Sequence, residues 1–145
     1  MLLSLLIASL TACVSAARDD RETQSRQLAP CPKSPNCVST KAINPDSAMS
    51  PLPYRGSSSE SLDRLMKILK NLKRCKILST SHPYIHAEFR SAIFGFVDDV
   101  EFLFDDKAKL IHFRSASRTG YYDFGVNRKR MNKITGLYFQ GSSGP

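Results

Sequence analysis

Apolar residues recur at helical spacing from residue 62 onward. Leu62, Leu65, Met66, Leu69 and Leu72 fall on one face of a 3.6-residue repeat. Ser57-Ser58-Ser59-Glu60, just ahead of them, matches the S-x-x-E capping box. The pattern predicts an amphipathic helix with Lys67, Lys70, Lys73 and Arg74 in its C-terminal half, where cations suit the helix dipole. The period then changes from helical to alternating, and strands are expected over 76–80, 84–91, 96–104 and 110–115. In the third strand Val100, Phe102 and Phe104 share a face; in the fourth Ile111 and Phe113 do, opposite Leu110, His112 and Arg114. The connections, including the hairpin loop 105–109, are too short for crossovers, so the strands must be antiparallel. A second helix, with Asp123 as its N-cap, runs through Val126, Arg130, Met131 and Ile134 to Thr135. Helix, four strands, helix predicts a two-layer α+β fold, a four-stranded antiparallel sheet flanked by two helices.

The chain opens on a different pattern. Residues 2–12 (LLSLLIASLTA) are uncharged and mostly apolar. That is about half of the ~20 residues a membrane-spanning helix needs, and it fits a signal peptide over 1–12. Leu10-Thr11-Ala12-Cys13 resembles a bacterial lipobox. The resemblance implies cleavage before Cys13 and acylation of that cysteine, which would hold the protein on a membrane. Val14-Ser15-Ala16 also offers an ordinary signal-cleavage site, which would leave a soluble secreted protein, and an uncleaved anchor is a third reading. All three export the domain, and the expected address is the cell envelope, facing the periplasm or exterior. Residues 13–30 are polar and of mixed charge, as a flexible tether would be. Residues 31–56 hold Pro32, Pro35, Pro45, Pro51 and Pro53 and should be extended, irregular and laid over the domain. The tail 137–145 begins Leu-Tyr-Phe-Gln-Gly, resembles the end of an engineered protease site and is expected to be disordered, leaving one domain over 31–136.

Charge and cysteines narrow the partners. Of the 145 residues, 21 are Lys or Arg and 13 are Asp or Glu, a net charge of +8 that favours polyanions. Export removes nucleic acid from that set and leaves the membrane, an anionic small molecule or an envelope protein. Cys31 and Cys37 flank a turn-rich loop, and in an oxidising compartment the spacing favours a disulfide. Two free thiols or a metal pair are the competing readings. His82, His86 and His112 lack close ligand spacing, so no metal and no cofactor is expected. Cys75, beside Arg74 and Lys76, reads as a small buried residue or as an activated thiol.

Four blocks carry a family resemblance: CPKSPNCVST from Cys31, FGFVDDVEF from Phe94, RSASRTG from Arg114 and DFGVNRKR from Asp123. Together they resemble the domain of unknown function 1499 family over roughly 31–134. The resemblance implies a small domain often found in exported or membrane-attached proteins, and it implies no reaction.

The same blocks concentrate polar residues. Asp98, Asp99 and Glu101 lie on the third strand, and Arg114, Ser115, Ser117 and Arg118 end the fourth. Gly120, Asp123, Asn127, Arg128 and Arg130 lead into the second helix. If the last two strands form a hairpin, the acids meet Arg114 and Arg118 at one end of the sheet. Such a cluster is expected to be structural ion pairs, an anion site or an acid–base site. The hydroxyls, guanidinium groups and helix N-terminus suit a phosphate or carboxylate, giving Asp99, Glu101, Arg114, Ser115, Ser117, Arg118, Asn127 and Arg128 as candidate ligand-binding residues. A hydrolase using Asp99 and Glu101 with Arg114 and Arg118, and a structural or membrane-surface docking domain, are the alternatives. The leading expectation is an envelope lipoprotein that binds a ligand or partner and is not an enzyme.

Overall fold

A computed structural model gives the fold of residues 26–140. The expected signal peptide, Cys13 and the first part of the expected tether, like residues 141–145, lie outside the described residues. Along the chain the elements are β1 (Cys37–Ser39), β2 (Leu52–Pro53), α1 (Ser58–Asn71), β3 (Cys75–Ser81), β4 (Tyr84–Arg90), β5 (Val97–Asp105), β6 (Leu110–Ser117) and α2 (Val126–Gln140). The sheet order is β1-β6-β5-β4-β3, with β2 also paired to β6, and every pairing between these strands is antiparallel.

The α+β class and the antiparallel sheet agree with the sequence, but the expected four strands are too few. β1 and β2 come from the Pro-rich segment and extend the sheet beyond β6. They are three and two residues long, below any readable alternation. Pro53, with no N–H to give, is tolerated only at such an edge. Both strands also precede α1, so the order no longer begins with a helix.

The capping box forms as expected. Ser57 Oγ accepts from the Glu60 amide and Glu60 accepts from the Ser57 amide. Gly56 makes this possible: its φ is +83°, and a Cβ there would sit 2.3 Å from the capping Glu60 carboxylate. The helix stops at Asn71, so Lys73 and Arg74 lie beyond it; Arg74 takes a φ of 58° as the chain reverses into β3.

Both helices cover one face of the sheet. Leu65 and Leu69 of α1 and Met131, Ile134 and Tyr138 of α2 form one core with Ile85, Val100, Phe102, Phe104, Ile111 and Phe113. β5 alternates without a break: Asp98, Val100, Phe102 and Phe104 point to the helices and Asp99, Glu101 and Leu103 to the other face.

α2 runs to Gln140, five residues past the expected end at Thr135. Residues 137–140 are therefore helix, not disordered tail. Tyr138 is fully buried and donates to the Pro53 carbonyl at 3.1 Å. Gly136 looks like a stop, at about 1 kcal/mol against Ala in a helix, but burying a tyrosine outweighs that cost.

Among the described residues no helix is long and apolar enough to cross a membrane.

Candidate functional site

The polar residues of the motif blocks gather at one end of the sheet, where β4 and β6 finish, β5 starts and α2 begins. Strand alternation splits them between two faces. Asp98, Ser115 and Ser117 face the helices; Asp99, Glu101 and Arg114 face away. The single cluster expected from the sequence is thus two networks, back to back.

The helix-covered network centres on Asn127 and Arg130, one turn apart on α2. Arg130 is paired with Asp98 and also donates to Ser115 Oγ (3.0 Å) and Asn127 Oδ1 (2.7 Å). Its guanidinium lies over the Phe89 ring at 4.8 Å. Asn127 is fully buried and its amide nitrogen donates to Asn36 O, Ser117 Oγ and Asp123 Oδ2. Ser115 Oγ in turn donates to Asn127 Oδ1 at 2.6 Å. Asn36 adds a bond from its side chain to Gly120 O at 2.6 Å. Asp123 accepts from the amides of Gly125 and Asn127, so this helix N-terminus is already capped by a carboxylate. Arg128 points elsewhere and holds the loop at 44–48 through the Asp46 and Ala48 carbonyls.

On the open face, Arg118 grips Asp99 with two bonds of 2.7 Å and reaches Glu88 at 3.4 Å. His86 is 2.7 Å from Asp99, Arg114 is 3.0 Å from Glu101, and Tyr84 donates to Glu101 at 2.5 Å. Arg118, then His86, hold the Asp99 carboxyl below the ordinary carboxylate range. Burial, with the Glu101 contact second, pushes the Tyr84 hydroxyl up. The groups proposed for acid–base work, Asp99 and Glu101, are thus engaged with opposite charges or hydrogen-bond partners. Burial also pushes the Cys75 thiol up to about 11, the opposite of activation. Among the described residues no His, Cys, Asp and Glu group is arranged to hold a metal ion.

Part of this face is covered. Cys31 and Cys37 are joined by a disulfide, and Cys37 lies in the open-face row of Ala116, Asp99 and Glu88. Five residues earlier, Arg26 sits over the Tyr84 ring at 5.3 Å. Residues 27–30 therefore cross β6 and β5 diagonally as a strap.

Beyond the networks the end is apolar. The β4–β5 loop carries Ile93, Phe94 and Phe96, and the β6–α2 loop carries Tyr121, Tyr122 and Phe124. They are exposed by 85, 76, 56, 73, 57 and 77% respectively. Rings pair within each loop, Phe94 with Phe96 and Tyr122 with Phe124. The loops are not slack: Ser91 and Phe96 exchange two hydrogen bonds, and Asp123 fixes the second turn. Phe124 has a φ of 55°, an outlier for a bulky residue, held while its ring points into solvent. Between the loops lies a cleft of about 440 Å³ walled by Phe94, Phe96, Tyr122, Phe124 and Val126, with Asp98 and Ser117 also lining it.

A protein-family profile described as protein of unknown function (DUF1499) matches residues 27–137. The chain belongs to the DUF1499 family. No curated protein matches it. All four motif blocks fall within the DUF1499 match, and the buried network ties them together: Asn36 from the first, Asp98 from the second, Ser115, Ser117 and Gly120 from the third, and Asp123, Asn127 and Arg130 from the fourth.

Of the candidate ligand-binding residues, the DUF1499 fold puts Asp99, Glu101, Arg114 and Arg118 together on the open face. Ser115, Ser117 and Asn127 lie on the helix-covered face, and Arg128 is apart from both. The sequence reading missed His86, Glu88 and Tyr84, which join from β4, and Asn36 from the disulfide loop. It also missed the exposed aromatics, because Phe96 was expected inside a strand that in fact starts at Val97. Gly95 inside the first aromatic run and Gly120 and Gly125 on either side of the second, all with positive φ, are the signal that separates these runs from strands.

Proposed function

We propose that the protein is an exported, lipid-anchored binding domain with no reaction of its own, and that its binding surface is the aromatic end of the sheet. One observation carries this reading: five large apolar side chains from two pinned loops, Ile93, Phe94, Phe96, Tyr122 and Phe124, stand 56–85% exposed around one cleft. Isolated exposed apolar residues are ordinary, but a contiguous group on rigid loops marks an interaction site. The leader and Cys13 support export and anchoring, since Leu10-Thr11-Ala12-Cys13 has the lipobox form.

The chemistry favoured here is apolar rather than anionic. Arg114, Arg118 and Arg130 already face carboxylates, and Asp123 occupies the helix N-terminus that an anion would use. On this reading the two networks are the scaffold and the aromatic loops are the working part.

The test is titration with N-phenyl-1-naphthylamine, the uncharged anilinonaphthalene fluorescent probe. Saturable binding to the folded chain is expected to weaken about tenfold or more in a Phe94→Ser, Phe124→Ser variant, as loss of buried aromatic area implies. Arg118→Ala should bind as the parent does. The reverse pattern, with binding lost in Arg118→Ala and kept in the aromatic variant, would return the site to the arginines. Fatty-acid labelling that persists in Cys13→Ser would overturn the anchor.

A further inference from the structure

We infer that the partner of the aromatic end is the lipid surface itself, with the side chains of the two loops inserting among the headgroups of an anionic bilayer. This rests on the reading of that end as the binding surface and adds its occupant.

Shape is the first argument. Ile93, Phe94, Tyr121 and Phe124 are each more than 70% exposed, so they project outward beside the open cleft as a tip rather than close over it. Short apolar and aromatic projections of this kind match the depth of the bilayer interface, where tyrosine and other aromatic rings place an apolar body in the acyl boundary and a polar edge among headgroups.

Charge is the second. The α1 C-terminus and the start of β3 arrive at this end, and the Arg90 amide bonds to the Arg74 carbonyl. Exposed Lys73, Arg74 and Lys76 therefore form a cationic collar on one side of the tip. The carboxylates nearby are already answered: Asp98 by Arg130, Asp99 by Arg118, Glu88 by Arg90 and Arg118, and Asp123 by amide groups. An apolar tip beside a cationic collar complements anionic headgroups.

Reach is the third. Arg26 sits over Tyr84, at the far end of β4 from the tip. The thirteen residues from Val14 to Arg26 span at most about 45 Å when extended. Nine-residue β5, the longest strand among those described, covers about 30 Å. A chain held at Cys13 can therefore turn its tip to the same membrane.

The chain has no Trp, so Phe94→Trp gives a single indole reporter at an exposed position. The full lipidated chain carrying it would be reconstituted into vesicles of phosphatidylcholine with phosphatidylglycerol, and its acylation checked by mass. The expected result is a blue-shifted emission, quenching by lipids brominated in the acyl chain, and loss of both when Ile93→Asp and Phe124→Asp are added. Insertion should weaken in pure phosphatidylcholine and at high salt. An anchored chain whose indole emits as in water overturns the inference. If such a chain still binds the anilinonaphthalene probe through the aromatic loops, the binding surface stands and its partner is something other than lipid. Insertion indifferent to headgroup charge and salt overturns the role of the cationic collar.

Discussion

At the same end of the same sheet, the helix-covered face and the open face use the same residue types in different ways. On one, Asp98, Arg130, Ser115 and Asn127 are nearly sealed from water, and every polar group answers another. On the other, Asp99, Arg118 and His86 keep partial access to solvent. Buried polar groups are costly when orphaned, while exposed ion pairs contribute little. The buried side is therefore the framework that fixes where the loops emerge, and the Asp99, Arg118 and His86 group of the open side can vary with small effect on folding.

Breaking the buried side should cost most. Arg130→Met leaves Asp98 charged and buried without a partner, an expected loss of about 3–5 kcal/mol in denaturant unfolding. Asn127→Ala leaves the Ser115 hydroxyl and the Asn36 carbonyl short of a partner, at about 1–3 kcal/mol, with a lowered melting temperature as the readout.

Acid titration sharpens the contrast on the open face. Asp99 has a depressed carboxyl pKa when folded, so its contribution is complete above the unfolded value near ~4 and is lost as pH falls through the folded one. Asp99→Asn should flatten stability against pH below about 4. His112 is also depressed, by burial and by nearby Lys41, so it disfavours folding as pH drops below about 6.5. His112→Gln should flatten that upper window and leave the lower one unchanged. The smallest effect is expected for Arg118→Ala: a slight lowering of the unfolding midpoint at neutral pH, since Asp99 keeps His86 and Glu88 keeps Arg90 as partners. A collapse there comparable to Arg130→Met would erase the distinction between the two faces.

Much of this architecture was legible. The Ser57–Glu60 box located α1, and alternation through Val100, Phe102 and Phe104 located the core strand. Alternation also separates Asp98 from Asp99, yet their adjacency in sequence drew them into one cluster. β1 and β2 are too short to carry a period, and they form because β6 offers an unpaired edge, which is a property of the assembled sheet. Tyr138 was hidden behind Gly136, and its burial depends on Pro53, 85 positions away. The meeting of Asn36 with Asn127 is likewise tertiary, at a separation of 91.

The strap has a mechanical meaning. If the chain hangs from Cys13, any tension between membrane and domain enters at Arg26 and runs along residues 27–30. It peels that strap from the open face and then meets the Cys31–Cys37 bond. Force arriving there loads a covalent link, and through it the β1 edge at Cys37, where β1 pairs with β6. The β4–β5 loop lies off this load path, whereas the β6–α2 loop is tied to it through the Asn36 side chain on Gly120 O, so drag on the tether reaches one aromatic loop and not the other.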